Sequence, residues 1–530
     1  MRLAFSLLAL APLALARLPD GRLHGNRPPR PLPPSVLAPD STQVVHASTN
    51  ATLPPLDTIY YFDQLIDHRN PSLGTFKQRY WSTWEFYEPG GPIVLSTPGE
   101  ANAAPYTGYL TNRTINGQIA QQQKGATIVL EHRYFGLSNP FSDLSVASLK
   151  YHTVQQAIDD LAYFADNVKL PMPGGDQVPP SKAPWILIGG SYSGALTAFT
   201  KINKPDSFYI GYASSAVVES ITNFWAYFEP VRQYMPKNCS SDVEAVVAHF
   251  DRVLTSGNNT AIAELKHLYG MDDVVHADDV SGALRNNLWN WQDLDADSGG
   301  SVFYDFCDAI EVKDGVSAPA SGWGLEHALT AWGTYWTSTY MQTLCGGDGA
   351  EDCLGTYNTT QSFWTDTSLD NPERSWMWLV CNEFGFFQDT APPYQPSIVS
   401  RIVTISGDER QCQQMFPEAF KGPANPKAWK TNAEYDGWFL RANRLFIANG
   451  VRDPWRYATV SSGFVDIPST PQQPIAVGDG FHCSDLITRN GAVDPTILKV
   501  QQSSLSHIKK WLAEWKPAGS GHYYGRGNEL

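Results

Sequence analysis

Short apolar runs separated by polar stretches set the pattern of this chain. Pro92-Ile-Val-Leu-Ser96, Ala126-Thr-Ile-Val-Leu130, Trp185-Ile-Leu-Ile188 and the stretch from Tyr209 to Ala213 are continuous hydrophobic runs of strand length. Such runs suit strands buried on both faces. Between them, Val154, Ile158, Leu161 and Phe164 recur at helical spacing behind Thr153-Val-Gln-Gln156, which reads as a capping box. Strands alternating with amphipathic helices predict an α/β fold with a mostly parallel sheet covered on both sides.

The alternation stops near Val218. From Ile221 to Lys430 the pattern is helical, irregular and aromatic-rich. It resumes with Arg444-Leu-Phe-Ile-Ala448 and Gln473-Pro-Ile-Ala-Val477. A last helix follows from Pro495, its apolar face formed by Ile497, Leu505, Ile508, Leu512 and Trp515. The expected organisation is a core from 57 to 220, a helical cap inserted over 221–430, and a second core part from 431 to 516. An insertion at that point would form a lid over a pocket.

The stretch Gly189-Gly-Ser191-Tyr-Ser-Gly194 joins the third run to a helical pattern. A strand turning sharply into a helix through a glycine-flanked serine is the nucleophile elbow of the α/β-hydrolase fold. The usual Gly-x-Ser-x-Gly is altered, with Ser193 where the second glycine stands and Gly194 one place later. In this fold the partners follow in the order serine, acid, histidine. After the insertion, Asn449-Gly-Val-Arg-Asp453-Pro-Trp455 puts an aspartate just past a strand end. Beyond it only His482, His507 and His522 remain. His507 falls in the final helix and His522 in the tail, so His482 is selected by elimination. Ser191 is thus the expected nucleophile, His482 its general base and Asp453 the group that orients the imidazole. The Tyr192 N–H is the expected first oxyanion donor. A second is expected from Thr97-Pro-Gly-Glu100, where Pro98 cannot serve.

Composition narrows the setting. The chain has 530 residues, only 17% of them charged, and a net charge of −15. An acidic surface repels phosphates, which argues against a nucleic-acid partner. Arg2, an apolar run from Leu3 to Leu15 and Ala14-Leu15-Ala16 have the layout of a signal peptide (1–16) with cleavage expected after Ala16. No later run is long enough to span a bilayer, so no membrane partner is expected. Asn50, Asn112, Asn238, Asn258 and Asn358 each begin an Asn-x-Ser/Thr glycosylation acceptor. The seven cysteines are Cys239, Cys307, Cys345, Cys353, Cys381, Cys412 and Cys483. They predict three disulfides and one free thiol, with Cys345 and Cys353 close enough for a local closure. Structural pairing is expected for Cys483. No Cys-x-x-Cys occurs, and Asp293-Leu-Asp-Ala-Asp297 lacks the turn glycine and closing glutamate of a calcium loop. Neither a metal nor another cofactor is expected. Residues 17–56, centred on Arg27-Pro-Pro-Arg-Pro-Leu-Pro-Pro34, read as a leader or pro-segment unable to build a core and expected to be disordered. Residues 517–530 read as a polar tail.

Five ordered blocks carry a family resemblance: Gly189 to Gly194, Asp453-Pro-Trp455, Gly480-Phe-His-Cys-Ser-Asp485, Glu131-His-Arg-Tyr-Phe-Gly136 and Trp376-Met-Trp-Leu-Val-Cys-Asn-Glu383. They resemble the serine peptidases of the Pro-Xaa carboxypeptidase and dipeptidyl-peptidase II family, over about Tyr60 to Trp515. The Ser-Tyr-Ser-Gly and Phe-His-Cys-Ser forms are most similar to the fungal secreted acid prolyl endopeptidases. The resemblance implies a helical cap, cleavage after proline in peptides or proteins, and a preference for acid. Trp376, Trp378 and Trp455 are the expected walls of a proline pocket, because a rigid apolar ring suits flat aromatic surfaces. Glu383 is placed beside them, to meet a substrate terminus or to share a proton with a neighbour, and Glu100 is given no role in the chemistry. His132 reads as structural and Arg133 as a tie between carboxylates or carbonyls. Within the peptidase reading, endopeptidase and exopeptidase both remain open. An esterase and a catalytically silent binding protein are the readings outside it.

Overall fold

The computed structural model describes residues 22, 24–38, 43–297 and 299–517. The expected signal peptide and the tail beyond residue 517 lie outside them. Eight strands form one twisted sheet: β1 (Tyr60–Leu65), β2 (Thr75–Thr83), β3 (Ile93–Ser96), β4 (Ala126–Leu130), β5 (Trp185–Gly190), β6 (Ile210–Ser214), β9 (Leu445–Gly450) and β10 (Ile475–Gly478). Their order across the sheet is β1-β2-β4-β3-β5-β6-β9-β10, and a small hairpin, β7 (Val312–Lys313) with β8 (Val316–Ser317), stands apart. β1 and β2 are antiparallel additions at one edge, and every pairing from β4 to β10 is parallel.

The parallel strands are the apolar runs of the sequence. Ile93, Val94 and Leu95 have no exposed surface, as a strand covered on both faces requires. The register brings their carboxyl ends level: Ser96 lies beside Ile188, Gly190 beside Ser214, Ser214 beside Ala448, and Gly450 beside Gly478. The loops that begin at Thr97, Ser191, Ser215, Val451 and Asp479 therefore leave from one edge of the sheet. That is the edge where α/β folds assemble their sites. This is an α/β-hydrolase fold.

The helix Val154–Asn167 starts as expected, with Thr153 accepting a hydrogen bond from Gln156 N–H. Only half of the box forms, because the Gln156 side-chain oxygen accepts the His68 N–H instead. Between β6 and β9 the chain is helical apart from the small hairpin. Disulfides Cys239–Cys307, Cys345–Cys353 and Cys381–Cys412 lie within this insertion. Cys483 is not paired as expected; it is the free, buried thiol, since the other six cysteines pair with one another. The last helix runs Pro495–Glu514, opened by the Asp494 carboxylate, and packs on β10.

The leader differs most from its expectation. Arg22, His24, Asn26 and Arg27 are buried, and the stretch to Ala38 lies against both the cap and the sheet domain. Val44 and Leu53 belong to the main core. Composition argued only that this segment cannot fold by itself. Proline-rich chain is apolar and already extended, so it loses little entropy when it docks on surfaces supplied by the rest of the molecule.

Candidate active site

Ser191 opens the helix Ser191–Asn203 directly after β5 and has φ +60°, the left-handed conformation of a tight strand-to-helix turn. The glycines around it are required by space. A Cβ on Gly189 would lie 2.0 Å from the Ser193 carbonyl oxygen, and one on Gly194 would lie 2.7 Å from that of Ser214. Ser193 has its own part in the turn: its hydroxyl donates to Gly190 O at 2.7 Å and accepts from Gly190 N–H at 3.1 Å. The departure from the usual motif thus adds a clasp across the elbow.

His482 and Asp453 meet as expected. Nδ1 of His482 lies 2.8 Å from Oδ1 of Asp453, with both side chains almost wholly excluded from solvent. The same carboxylate oxygen accepts the Trp455 N–H at 2.9 Å. Burial, the largest single influence, pushes the imidazole toward neutrality; the Asp453 carboxylate and the Cys483 sulfur act against it together, and His482 is raised above the ordinary histidine range. The Asp453 contact leaves Nε2 as the ring atom available to the nucleophile. Among the described residues neither Nε2 of His482 nor Oγ of Ser191 makes a hydrogen bond.

The two loops are nevertheless neighbours. A Cβ on Gly190 would lie 2.9 Å from Sγ of Cys483, so the residue before the serine faces the residue after the histidine. Cys483 adopts φ +55° and donates its N–H to the Ser215 hydroxyl at 3.0 Å. Asp485 accepts from the hydroxyls of Tyr212 and Ser214 at 2.7 and 2.6 Å, tying the histidine loop to β6. Burial raises the Cys483 thiol, which keeps it neutral.

Tyr192 is in the first turn of its helix, where backbone N–H groups have no intrahelical acceptor. Gly99, at φ +75°, brings the loop after β3 against this turn; a Cβ there would lie 3.3 Å from the Tyr192 ring. The Tyr192 hydroxyl lies 3.0 Å from Nε2 of His132, which fits a structural part for that histidine. Arg133 ties together Asp160 and the carbonyls of Leu65, Ile66 and Tyr151.

A small aromatic-rich cavity adjoins these groups. Trp376, Met377, Val380, Phe386, Phe387 and Trp455 line it with Gln388, Asp408, and Pro28 and Pro29 of the leader. The Trp455 ring centroid is 6.4 Å from that of His482, and the Trp376 ring is 5.5 Å from that of Tyr192. Trp378 and Glu383 do not reach this cavity; they line a separate cleft with Asp67, Arg69 and Lys430. Trp378 donates to the His152 carbonyl and meets Phe416 edge-on. The Glu383 carboxylate accepts the Val154 N–H, and burial raises it to about 7. The reason is helical geometry: positions two apart, such as 376 and 378, point to opposite sides. Sequence reasoning also missed Phe386, Met377 and Gln292. The Gln292 side chain joins Trp455 Nε1 at 2.6 Å to the carbonyl of Arg30 at 2.7 Å. Met377 stands within the block from Trp376 to Glu383 but was not singled out there, and Phe386 and Gln292 lie in the irregular cap outside every motif.

Glu100 is fully buried beside this constellation, and its carboxyl oxygens make no hydrogen bond among the described residues. Burial raises it to about 8, against the pull of Arg30 and His482.

The chain matches the family model described as serine carboxypeptidase S28 over residues 64–294 and 325–505, and it belongs to that family. It is a serine peptidase by membership. It is 36% identical over 473 residues to serine protease vicPa of Bipolaris victoriae, covering 86% of this chain and 88% of that one. A probable extracellular serine carboxypeptidase of Arthroderma benhamiae is 31% identical over 474 residues, covering 82% and 64%. Among solved structures, a proline iminopeptidase of Mycobacterium smegmatis aligns over 84% of this chain and 99% of that one, at 11% identity and a TM-score of 0.34.

Proposed function

We propose that this protein is a secreted serine peptidase that cuts polypeptides internally on the carboxyl side of proline, through an acyl-enzyme. Oγ of Ser191 attacks the scissile carbonyl carbon while Nε2 of His482 takes its proton. The oxygen becomes an anion facing the Tyr192 N–H and a second donor from the loop after β3. Collapse breaks the C–N bond, and His482 returns the proton to the leaving amine. Water then attacks the Ser191 ester, with His482 again accepting a proton. Asp453 keeps the imidazole in the tautomer that presents Nε2 and stabilises its charged form. Substrate contacts belong to Trp376 and Trp455, with Phe386 added; Trp378 and Glu383 are not proposed for them.

The observation that supports proline specificity is the small, largely aromatic cavity beside His482, with Pro28 and Pro29 of the leader in its wall. The leader continues from that cavity in both directions, toward the cap at Asn26 and toward the sheet domain at Pro33. A cleft that accommodates continuous chain on both sides supports internal cutting over removal of terminal residues. Export is supported by the signal-peptide layout, by three disulfides and by the extracellular relative. Asn50, Asn112, Asn258 and Asn358 are exposed and Asn238 partly so, as glycosylation would need.

Mass spectrometry of products from a long proline-containing protein and from a short peptide blocked at both ends tests this reading. Cuts after internal prolines in both substrates are expected. Release of terminal fragments alone would make it an exopeptidase, and cuts without regard to proline would remove the specificity.

A further inference from the structure

Residues 24–37 cross the cleft from cap to sheet domain as a strap. On the cap side, Gly25 N–H donates to Cys353 O at 2.9 Å, and the Asn26 side chain donates to Asp279 O and Leu354 O at 2.9 and 2.6 Å. His24 stacks on Phe363 with ring centroids 4.9 Å apart. Pro28 and Pro29 follow in the wall of the aromatic cavity. Arg30 then pairs with Glu373 at 2.9 Å and donates to the Glu100 carbonyl. Pro33 reaches the elbow itself: a Cβ on Gly190 would lie 3.0 Å from Cβ of Pro33. On the sheet side, the Tyr106 and Tyr109 hydroxyls donate to Pro33 O and Pro34 O at 3.2 and 2.8 Å, and Gly108 N–H donates to Val36 O at 2.7 Å.

This path covers the reacting groups without presenting a bond to them. Ser191 has no exposed surface and His482 only 3%. The strap is not extended where it passes. Leu32 N–H folds back onto Arg30 O at 2.8 Å, and Gln292 holds the same carbonyl. None of its carbonyls accepts the Tyr192 N–H among the described residues. Ser191 and His482 make no hydrogen bond to one another. Charge favours the docking: from 24 to 37 the strap carries Arg27 and Arg30 and no acid, in a chain of net charge −15.

We infer that residues 24–37 are a tethered, substrate-like inhibitor, so that the uncut chain is a latent precursor activated when this strap is released. The inference rests on the active site proposed above. Pro28 and Pro29 mimic the prolyl part of a substrate, while Glu373 supplies a site for a basic residue next to the proline. A tether keeps the inhibitor at an effective concentration in the millimolar range, so modest affinity suffices until the chain is cut beyond Leu37.

The test compares the intact full chain with two full-chain variants, Arg30→Glu and Pro29→Asp, on a short blocked prolyl amide. Arg30→Glu sets two carboxylates against each other at Glu373, and Pro29→Asp puts a second carboxyl into a buried cavity wall that already includes Asp408. Each variant should hydrolyse at least ~10-fold faster than the intact chain, since losing a buried ion pair or adding a buried carboxyl displaces the strap. A synthetic peptide of residues 24–37 should inhibit both variants competitively, raising apparent KM with kcat unchanged. Equal rates in all three chains, with no effect of the peptide, would overturn the strap and leave the peptidase standing. No hydrolysis by any folded chain, and no reaction of Ser191 with a phosphonate, would overturn the active site and the strap with it.

Discussion

The imidazole of His482 is held through Nδ1 by the Asp453 carboxylate at 2.8 Å, in a site sealed from solvent. An oriented imidazole is the difference between a serine at a strained turn and a nucleophile. Asp453→Asn keeps the shape and removes the charge, and it should lower kcat by about 10⁴-fold with KM little changed. Steady-state kinetics on a prolyl amide checks this. A loss of only a few-fold would mean that the carboxylate has no part in orienting the base.

Gly189→Ala should abolish activity and lower thermal stability together. Its new methyl would meet backbone, the Ser193 carbonyl at 2.0 Å, and backbone cannot swing aside as a side chain can. Overpacking of this kind costs about 1–3 kcal/mol or more. Calorimetry alongside the activity assay should show a lower Tm and no turnover, and an unchanged Tm would contradict the crowding.

Trp376→Leu should lower kcat/KM for a prolyl substrate about tenfold relative to an alanyl one, because it removes one flat wall of the cavity. Trp378→Leu should leave that ratio unchanged, since Trp378 faces Phe416 and the His152 carbonyl. Parallel measurement of the two ratios decides which tryptophan touches substrate.

Stability should fall as pH rises past 6.5. Burial raises Glu100 and Asp389 to about 8, and Glu383 and Asp279 to about 7. These carboxyls keep their protons in the folded protein at pH values where the unfolded chain has released them. At these carboxyls the folded state binds more protons, which lowers the unfolding free energy from about pH 4.5 to 7–8, while His24 and His132, lowered by burial to about 3 and about 4, act oppositely up to their ordinary pKa of 6.5; the net decline falls between pH 6.5 and 8. A Tm that drops across this interval is expected, and Glu100→Gln should flatten part of the decline. A Tm that climbs instead would contradict the burial of these groups as neutral acids.

The parallel strands and the elbow were legible because a strand buried on both faces must be apolar at every position, and a crowded turn must be glycine. β1 was not, since Tyr60–Leu65 lies at the sheet edge with exposed and covered positions mixed. The residues that line the cavity were legible only in part. Tryptophan at 376 and at 378 looks equivalent until helix phase turns one toward Tyr192 and the other away. The strap was misjudged because composition measures whether a segment can fold alone, whereas this one takes its burial from Trp376, Trp455, Tyr106 and Tyr109.

The most direct measurement is the site of covalent attachment of a serine-directed phosphonate, read by peptide mass spectrometry. It should be made on the intact chain, on Arg30→Glu, and on Arg30→Glu combined with His482→Ala. The account predicts one adduct, on Ser191, formed rapidly in Arg30→Glu and nearly lost when His482 is removed. An adduct on another serine, or labelling of Ser191 that is indifferent to His482, would contradict it.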